Sequence, residues 1–358
     1  MKKVSLIVIG IAVIFGLIII VKLFGFYNAI YKKSTIKPTI IPVEKTTFNI
    51  LLLGYGGEGH DGPYLTDTMM VLHLDLKKKY ANLISIPRDL WVKVPTESGA
   101  AFHTKINSVY QMGIFYKDYP DLNKKLISKD DPSKLIKYVL KNVTGLSIDN
   151  YVALDFNSFI KVVDILGGVD INVTTAFVDP AYPIEGKETE MCGHTEEDIK
   201  EFTATESAEM KLWDYFSCRY EKLNFDVGLQ NMDGNTALKY VRSRHSIVDG
   251  SDFGRDARQQ KFLEALKDKV ISIGFIPKII PLMDEMKKRI VTDITTDVIK
   301  KFIGDAINAS KYKINQLVIT DKNFVDDSYS SAGGYILAPK LGIDKWGDLQ
   351  KGIIILNE

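Results

Sequence analysis

The most one-sided stretch of the chain is its start. After Met1-Lys2-Lys3, positions 4–21 read VSLIVIGIAVIFGLIIIV without a charge. About 18 apolar residues at about 1.5 Å each approach the thickness of a bilayer's hydrocarbon core, so the pattern predicts one N-terminal transmembrane helix, with residues 1–24 as cytoplasmic tip and anchor. A cleavable signal peptide is the alternative. Such signals have a shorter apolar core and small residues before the cut, whereas Val21 is followed by the bulky KLFGFYNAIY. Lysines stand on both sides of the span, Lys2 and Lys3 before it and Lys22, Lys32, Lys33 and Lys37 after it, so lysine counting leaves the orientation open. Residues 25–47 carry prolines and β-branched residues with neither helical nor strand period, the composition of a stalk.

From residue 48 the pattern changes. FNILLLG (48–54), DTMMVLHLDL (67–76) and YANLISIPRD (80–89) read as buried strands, with Lys77-Lys78-Lys79 as a solvated turn. In YVALDFNSFIKVVDILGGVDINV (151–173), a strand leads to a helix with Phe159, Val163 and Leu166 on one face. Gly167-Gly168 stops that helix, and VDINV reads as the next strand of a βαβ unit. A second helix is predicted over 257–272, with Phe262, Leu266 and Ile271 at helical spacing beside Leu263 and Val270. The expected class is α/β, a mixed central sheet covered by helices, filling 48–358.

Composition narrows the chemistry. Lys+Arg number 46 against 45 Asp+Glu, a net charge of +1, so the chain has no bulk charge for a polyanion and nucleic acid is not an expected partner. Any anion site must be local. The P-loop, H-E-x-x-H and G-x-S-x-G motifs are absent, and the glycine-rich GYGGEGHDG (54–62) runs into a strand where a dinucleotide fingerprint would open a helix. Cys192 and Cys218, the two cysteines, lie in an acidic insertion spanning 182–221 that carries no recognisable chemistry. With His194 they make too few donors for zinc; they are either a disulfide, implying an oxidising compartment, or two unrelated thiols.

One segment stands out for guanidinium. YVRSRHSIVDGSDFGRDARQQ (240–260) holds Arg242, Arg244, Arg255 and Arg258. Read as an extended segment, Tyr240, Arg242 and Arg244 share a face. Arg255 and Arg258, spaced i,i+3, fall in the first turn of a helix beginning near Asp256, beside free N–H groups and the positive end of its dipole. That is a place for phosphate, which the planar fork of arginine fits better than lysine does. Arg88, at the C-terminal end of a strand, adds a fifth guanidinium. The competing reading is a solvated rim paired with Asp249, Asp252 and Asp256.

The blocks NILLLG, DTMMVLHLD, LISIPRDLWV, HTKINSVYQMG, FIKVVDILGGVDINV, MDGNTALKYVRSRHS and DFGRDARQQ, from about Phe48 to about Ala265, resemble in order and context the LytR-CpsA-Psr family of bacterial cell-envelope proteins. The resemblance implies an α-β-α domain facing outward from the cell membrane on a single-pass anchor. It also implies a phosphotransferase that moves a glycopolymer from a polyprenyl-pyrophosphate carrier to peptidoglycan or another envelope acceptor through a phosphodiester. Its partners would be that donor, that acceptor and the lipid bilayer. Carried onto this sequence, Arg88, Arg242, Arg244, Arg255, Arg258 and Gln259 would hold the pyrophosphate. Asp67, Arg88 and Arg255 would be catalytic, and Asp67 would meet Mg²⁺ or Mn²⁺. Two positions depart from the family pattern: Gly56 stands where many members carry an aspartate, and Leu65 where they carry an arginine. Glu58, His60 or Asp61 would have to compensate, with Asp61 or Glu58 as second metal ligand. Lys105 is a further phosphate candidate, and Trp91 a packing or rim residue. A pyrophosphate hydrolase and a non-catalytic module gripping anionic envelope polymers are the alternative readings.

Overall fold

The apolar runs seen in the sequence assemble into one sheet. The computed structural model describes residues 45–60, 62–205, 212–246, 252–271, 290–295 and 311–357, together with residues 248, 250, 298, 301 and 302. The expected anchor and nearly all of the expected stalk lie outside the described residues, among which no helix is long and apolar enough to cross a membrane.

In chain order, β1 (Thr47–Tyr55), β2 (Thr66–Asp75) and β3 (Tyr80–Ser85) come first, then the hairpin of β4 (Trp91–Val94) and β5 (Phe102–Lys105). Helices α1 (Val109–Ile114) and α2 (Lys134–Thr144) precede β6 (Asn150–Asp155), α3 (Phe156–Leu166), β7 (Val169–Val173) and β8 (Phe177–Pro183). Next are α4 (Glu196–Thr205), α5 (Leu212–Tyr215), β9 (Tyr220–Phe225), β10 (Gly228–Met232), α6 (Gly234–Arg242) and α7 (Asp252–Ile271). The described chain closes with β11 (Val291–Thr292), β12 (Lys313–Val318), β13 (Val325–Tyr329), β14 (Tyr335–Pro339) and α8 (Gly347–Asn357).

The central sheet has six strands in the order β11-β6-β1-β2-β3-β12. Strands β1 and β6 pair in parallel, as do β3 and β12, while β2 is antiparallel to both β1 and β3 and β11 is antiparallel to β6. Thus β1, β3, β6 and β12 all end at one edge, which is where open sheets of this kind present ligand sites. One face of the sheet, with Leu51, Leu53, Met69, Val71 and Ile84, packs on α1, α2 and α8. The other face is covered by α3, α6 and α7, whose apolar residues join the β7–β10 and β8–β9 ribbons in a second cluster.

The mixed sheet under helices matches the expected class, with one correction. Strand β7 does not return to the sheet as a βαβ unit; it pairs with β10 in a separate ribbon. VDINV buries Val169, Ile171 and Val173 while Asp170 and Asn172 stay exposed. A strand sandwiched between helix layers would be apolar on both faces, so this alternation fits a ribbon open to solvent on one side. The stop at Gly167-Gly168 is as expected. Both glycines have φ near +80°, and Gly167 N–H closes the helix on Asp164 and Val163 carbonyls.

A buried ion pair ties the sheet's edge to its helix layer. Lys137 on α2 bonds Asp293, whose carboxylate also accepts from Tyr151 N–H at 2.8 Å; both side chains are nearly inaccessible. Removing one partner leaves the other charge buried, a loss of about 3–5 kcal/mol. Lys137→Ala is therefore expected to lower the stability measured by urea unfolding by that amount, and a variant within about 0.5 kcal/mol of wild type would contradict the pairing.

Candidate functional site

The site begins with an irregularity in pairing. Gly54 faces Thr68 while Tyr55 faces Thr66, so Asp67 is the extra residue of a β-bulge at the top of β2. A bulge re-aims a side chain, and the Asp67 carboxylate is turned to a pocket of about 110 Å³. Arg88, just past the end of β3, donates from Nη1 to Asp67 Oδ1 at 2.7 Å, and its Nε lies 3.4 Å from Asp89. Lys105 bonds the same Asp89 at 2.6 Å, so it is spent on positioning Asp89 and does not line the pocket. Trp91 stacks on His103 as a packing residue, with ring centroids 6.2 Å apart.

The pocket is lined by Asp67, Thr68, Phe156, Arg242, Arg244 and Arg255, and also by Asp179, Tyr182, Pro183, His245 and Gln259. Arg242 and Arg244 meet there, but not by lying on one extended face. Tyr240 to Arg242 are helical, the end of α6, whose first turn is capped by Asp233 accepting from Thr236 N–H at 2.8 Å. Ala237, Leu238 and Val241 are buried at i, i+1 and i+4, a helical face that the short alternating run YVRSR conceals. The chain turns out of the helix at Ser243, which brings Arg244 round beside Arg242.

Helix α7 likewise starts at Asp252, a turn earlier than expected, because Gly254 is absorbed into the helix. Arg255 thus closes the first turn and Arg258 stands in the second, past the free N–H groups. Their side chains part company. Arg255, 3% exposed, lines the pocket. Arg258 turns away from it: Nε–H donates to the Tyr240 carbonyl at 3.1 Å, an Nη2–H donates to the Ser243 carbonyl, and the guanidinium lies 4.8 Å from the Phe177 ring centroid. It fastens the end of α6. Gln259 reaches Thr68 Oγ1 at 2.9 Å and the Val241 carbonyl at 3.3 Å, linking α7, β2 and α6 beneath the pocket.

Several lining residues were not legible in the sequence. Asp179 on β8, fully buried, accepts from Ser243 Oγ at 2.7 Å, Arg244 N–H at 2.9 Å and His245 N–H at 3.2 Å. Burial alone would raise this carboxyl, but the bond from Ser243 and those from the Ala181, His245 and Arg244 N–H groups outweigh it and hold it below the usual carboxylate range. Phe156 lies under the Arg242 guanidinium, 4.2 Å from ring centroid to Cζ, and Arg242 donates to Tyr182 Oη at 3.2 Å. The insertion therefore reaches the site after all: Tyr182 and Pro183 line it, and the Trp213 ring sits 5.2 Å from that of His245. Its base is fastened by a Cys192–Cys218 disulfide.

At the departing positions, a Cβ on Gly56 would stand 2.8 Å from His60 Cβ. The His60 ring fills that space, edge-on to Phe156 at 5.3 Å with Nε2 3.4 Å from Glu185. Glu58 is exposed on the glycine loop, and Asp61 lies outside the described residues. Among the described residues no three His, Cys, Asp or Glu side chains gather to hold an ion. Asp67 is one hard carboxylate beside a phosphate-sized pocket, which fits the way Mg²⁺ binds through one or two carboxylates and substrate phosphates rather than in an all-protein cage.

The pocket adjoins an apolar cavity of about 180 Å³ that shares Thr68, Phe156, Arg242 and Gln259 with it. Leu52 and Leu263 are shared in turn with a second apolar cavity of about 290 Å³ lined by Leu72, Leu74, Leu76, Phe302 and Tyr312. Pocket and cavities therefore lie in a row along the sheet face beside α7.

The model of the LytR_cpsA_psr family matches residues 22–343. The chain belongs to that family. Among relatives, the polyisoprenyl-teichoic acid–peptidoglycan teichoic acid transferase TagV of Bacillus subtilis is 27% identical over 75% of this chain, which spans 56% of the length of that TagV. The enzyme named TagU in Enterococcus faecalis is 24% identical over 80% of this chain and 74% of its own. The crystal structure of B. subtilis TagV covers 88% of this chain and 97% of that one at TM-score 0.56 and 24% identity. TagT bound to LIIa-WTA covers 91% and 95% at TM-score 0.57 and 20% identity. These likenesses establish the fold.

Arg244 and Arg258 should separate on substitution by lysine. Arg258→Lys gives up the fork that holds two carbonyls and is expected to melt lower, whereas Arg244→Lys should melt as wild type and lose turnover. Equal melting of the two would refute the assignment. Asp179 gives a pH signature. Its folded-state value lies below the ordinary one of about 3.9, so its contribution is fully present above that pH and is lost as pH falls through the folded value. Asp179→Asn should flatten this part of the acid-unfolding curve and cost about 2 kcal/mol at pH 7; an unchanged acid limb would contradict the role.

Proposed function

We propose that the chain is a membrane-anchored phosphotransferase that takes a glycopolymer from a polyprenyl-pyrophosphate carrier and joins it to peptidoglycan or another envelope acceptor through a phosphodiester. The observation that carries this reading is the row formed by an arginine pocket and two apolar cavities with shared walls, which together would make one channel for a hydrocarbon tail. A ligand with an anionic head and a long hydrocarbon tail fills both, whereas a free nucleotide or sugar phosphate leaves the channel empty. The reading places the described domain outside the cytoplasm, with residues 4–21 as its anchor.

In the reaction, an acceptor hydroxyl attacks the phosphorus that bears the glycan, in line with the bond to the bridging oxygen, and polyprenyl phosphate leaves. Arg242, Arg244 and Arg255 grip the pyrophosphate and meet the charge that builds on the departing phosphate. In this half-buried pocket, where Arg255 is itself nearly inaccessible, these contacts are stronger than they would be in open solvent. Arg88 orients the Asp67 carboxylate, and Asp67 is the residue that would hold Mg²⁺ or Mn²⁺. When bound, that ion would neutralise phosphate charge. Gln259 and Thr68 set the depth at which the head group gives way to the tail.

The full chain, reconstituted with a polyprenyl-pyrophosphate glycan and Mg²⁺, should form the phosphodiester product when peptidoglycan is supplied. Release of glycan phosphate at the same rate without acceptor would make it a hydrolase, and binding without turnover a polymer-gripping module. Leu52→Trp, which narrows the channel, should raise KM for long-tailed donors and leave short-tailed ones unchanged; equal KM for both would place the tail elsewhere.

A further inference from the structure

The edge of the sheet opposite the arginine pocket is basic. Lys45 precedes β1, Lys77, Lys78 and Lys79 form the β2–β3 turn, and Lys311 and Lys313 flank the start of β12. Register puts all of these at one end: Thr47 pairs with Asp75, Asp75 with Tyr80, and Tyr80 with Lys313. Of the acids at this end, Asp268 is exposed and paired with Lys267 at 3.1 Å, and the two beside the turn lysines and Lys45 are taken up locally. Asp75, 5% exposed, accepts from the N–H groups of Lys77 at 2.8 Å and Lys78 at 2.7 Å, while Asp149 is taken by Lys45 and by Asn49 N–H. Lys77 and Lys78 are left pointing to solvent.

Aromatic rings are interleaved with the lysines. Lys78 lies over Tyr80 at 5.8 Å, Lys79 over Tyr312 at 5.4 Å and Lys45 over Phe48 at 5.6 Å. The far apolar cavity reaches the same end, where Leu76, Tyr312 and Lys267 line it. The chain also enters the domain here, with the apolar run of residues 4–21 lying upstream of Lys45.

We propose that this end is a docking face for the surface of an anionic phospholipid bilayer. Between Val21 and Lys45 the chain can extend up to about 80 Å, at roughly 3.3–3.6 Å per residue. A tether alone therefore does not bring the channel to the lipid. The lysines do so: each one near an anionic surface contributes about a fivefold preference. Tyr80 and Tyr312, apolar in body and polar at the tip, suit the headgroup level. An anionic wall polymer would satisfy the lysines but gives no reason for the apolar channel to open among them, so the bilayer is the better fit. The inference leans on the donor-tail reading above, yet its test does not require turnover.

The test is amide hydrogen exchange of the full chain in nanodiscs of phosphatidylcholine alone or mixed with phosphatidylglycerol. Peptides covering Leu76–Tyr80 and Lys311–Ile314 should exchange several-fold more slowly in the anionic discs, and high salt should remove the difference. Lys77→Glu with Lys78→Glu should abolish it, leaving the exchange around Arg244 and the thermal melt unchanged. Equal exchange in the two discs would overturn the proposal. So would protection in phosphatidylcholine discs that appears only on adding a soluble teichoic acid, which would assign the face to wall polymer. Because exchange reports contact alone, a failed transfer assay and a failed docking result are distinguishable.

Discussion

Asp179 sits fully buried on β8 and holds the Ser243–His245 turn by a hydroxyl and two backbone N–H groups. Whatever the pocket does with Arg242 and Arg244 depends on that turn, because it converts the end of a helix into a segment whose next arginine lies beside the last. Arg258 clamps the turn's other side through its carbonyls. A buried carboxylate and a buried guanidinium thus fix one short loop from opposite directions, the carboxylate through a hydroxyl and backbone N–H groups and the guanidinium through backbone carbonyls. Charges in such places are tolerated only when their hydrogen bonds are met, which makes the loop rigid as a consequence of making it stable.

That rigidity separates two kinds of arginine that the sequence presents as one cluster. Arg258 is a structural cation whose partners belong to the fold. Arg242, Arg244 and Arg255 border open volume, with Arg242 held over Phe156 and against Tyr182. Positioning them beforehand is what lets their charge act without reorganising when charge develops on a ligand. The opposite end of the same sheet carries lysines on exposed turns, flexible point charges suited to a diffuse surface instead of a defined anion.

The sheet was legible because NILLLG, MMVLHL and LISIP are continuous apolar runs, and strands buried on both faces leave that mark. The Gly167-Gly168 stop was legible because only glycine takes two successive positive φ values at low cost. The misreadings share a cause. YVRSR alternates over too few residues to tell a strand from a helix end, and DFGRD hides a helix start behind a glycine that buried packing tolerates. Asp179, Tyr182 and Phe156 gave no signal at all, since their roles come from contacts across long sequence distances: Asp179 meets Ser243, and Tyr182 meets Arg242. A local pattern carries no trace of such pairs. The insertion looked inert for the same reason, although Tyr182, Pro183 and its Trp213–His245 contact tie it to the pocket's rim.

The two departures from the family pattern become intelligible together. Gly56 removes a carboxylate and Leu65 removes a guanidinium from one glycine loop, whose turns are closed by Gly57 N–H to the Pro63 carbonyl and Leu65 N–H to the Gly62 carbonyl. Losing both keeps the local charge unchanged, and the volume is refilled by the His60 ring against Gly56 and the Leu65 side chain against Gly62. Among the described residues of this loop and bulge the Asp67–Arg88 pair remains, with Asp61 outside them. On the proposed reading, a cation held by Asp67 would draw most of its oxygen ligands from the donor's pyrophosphate and from water, which would tie its residence to that of the donor.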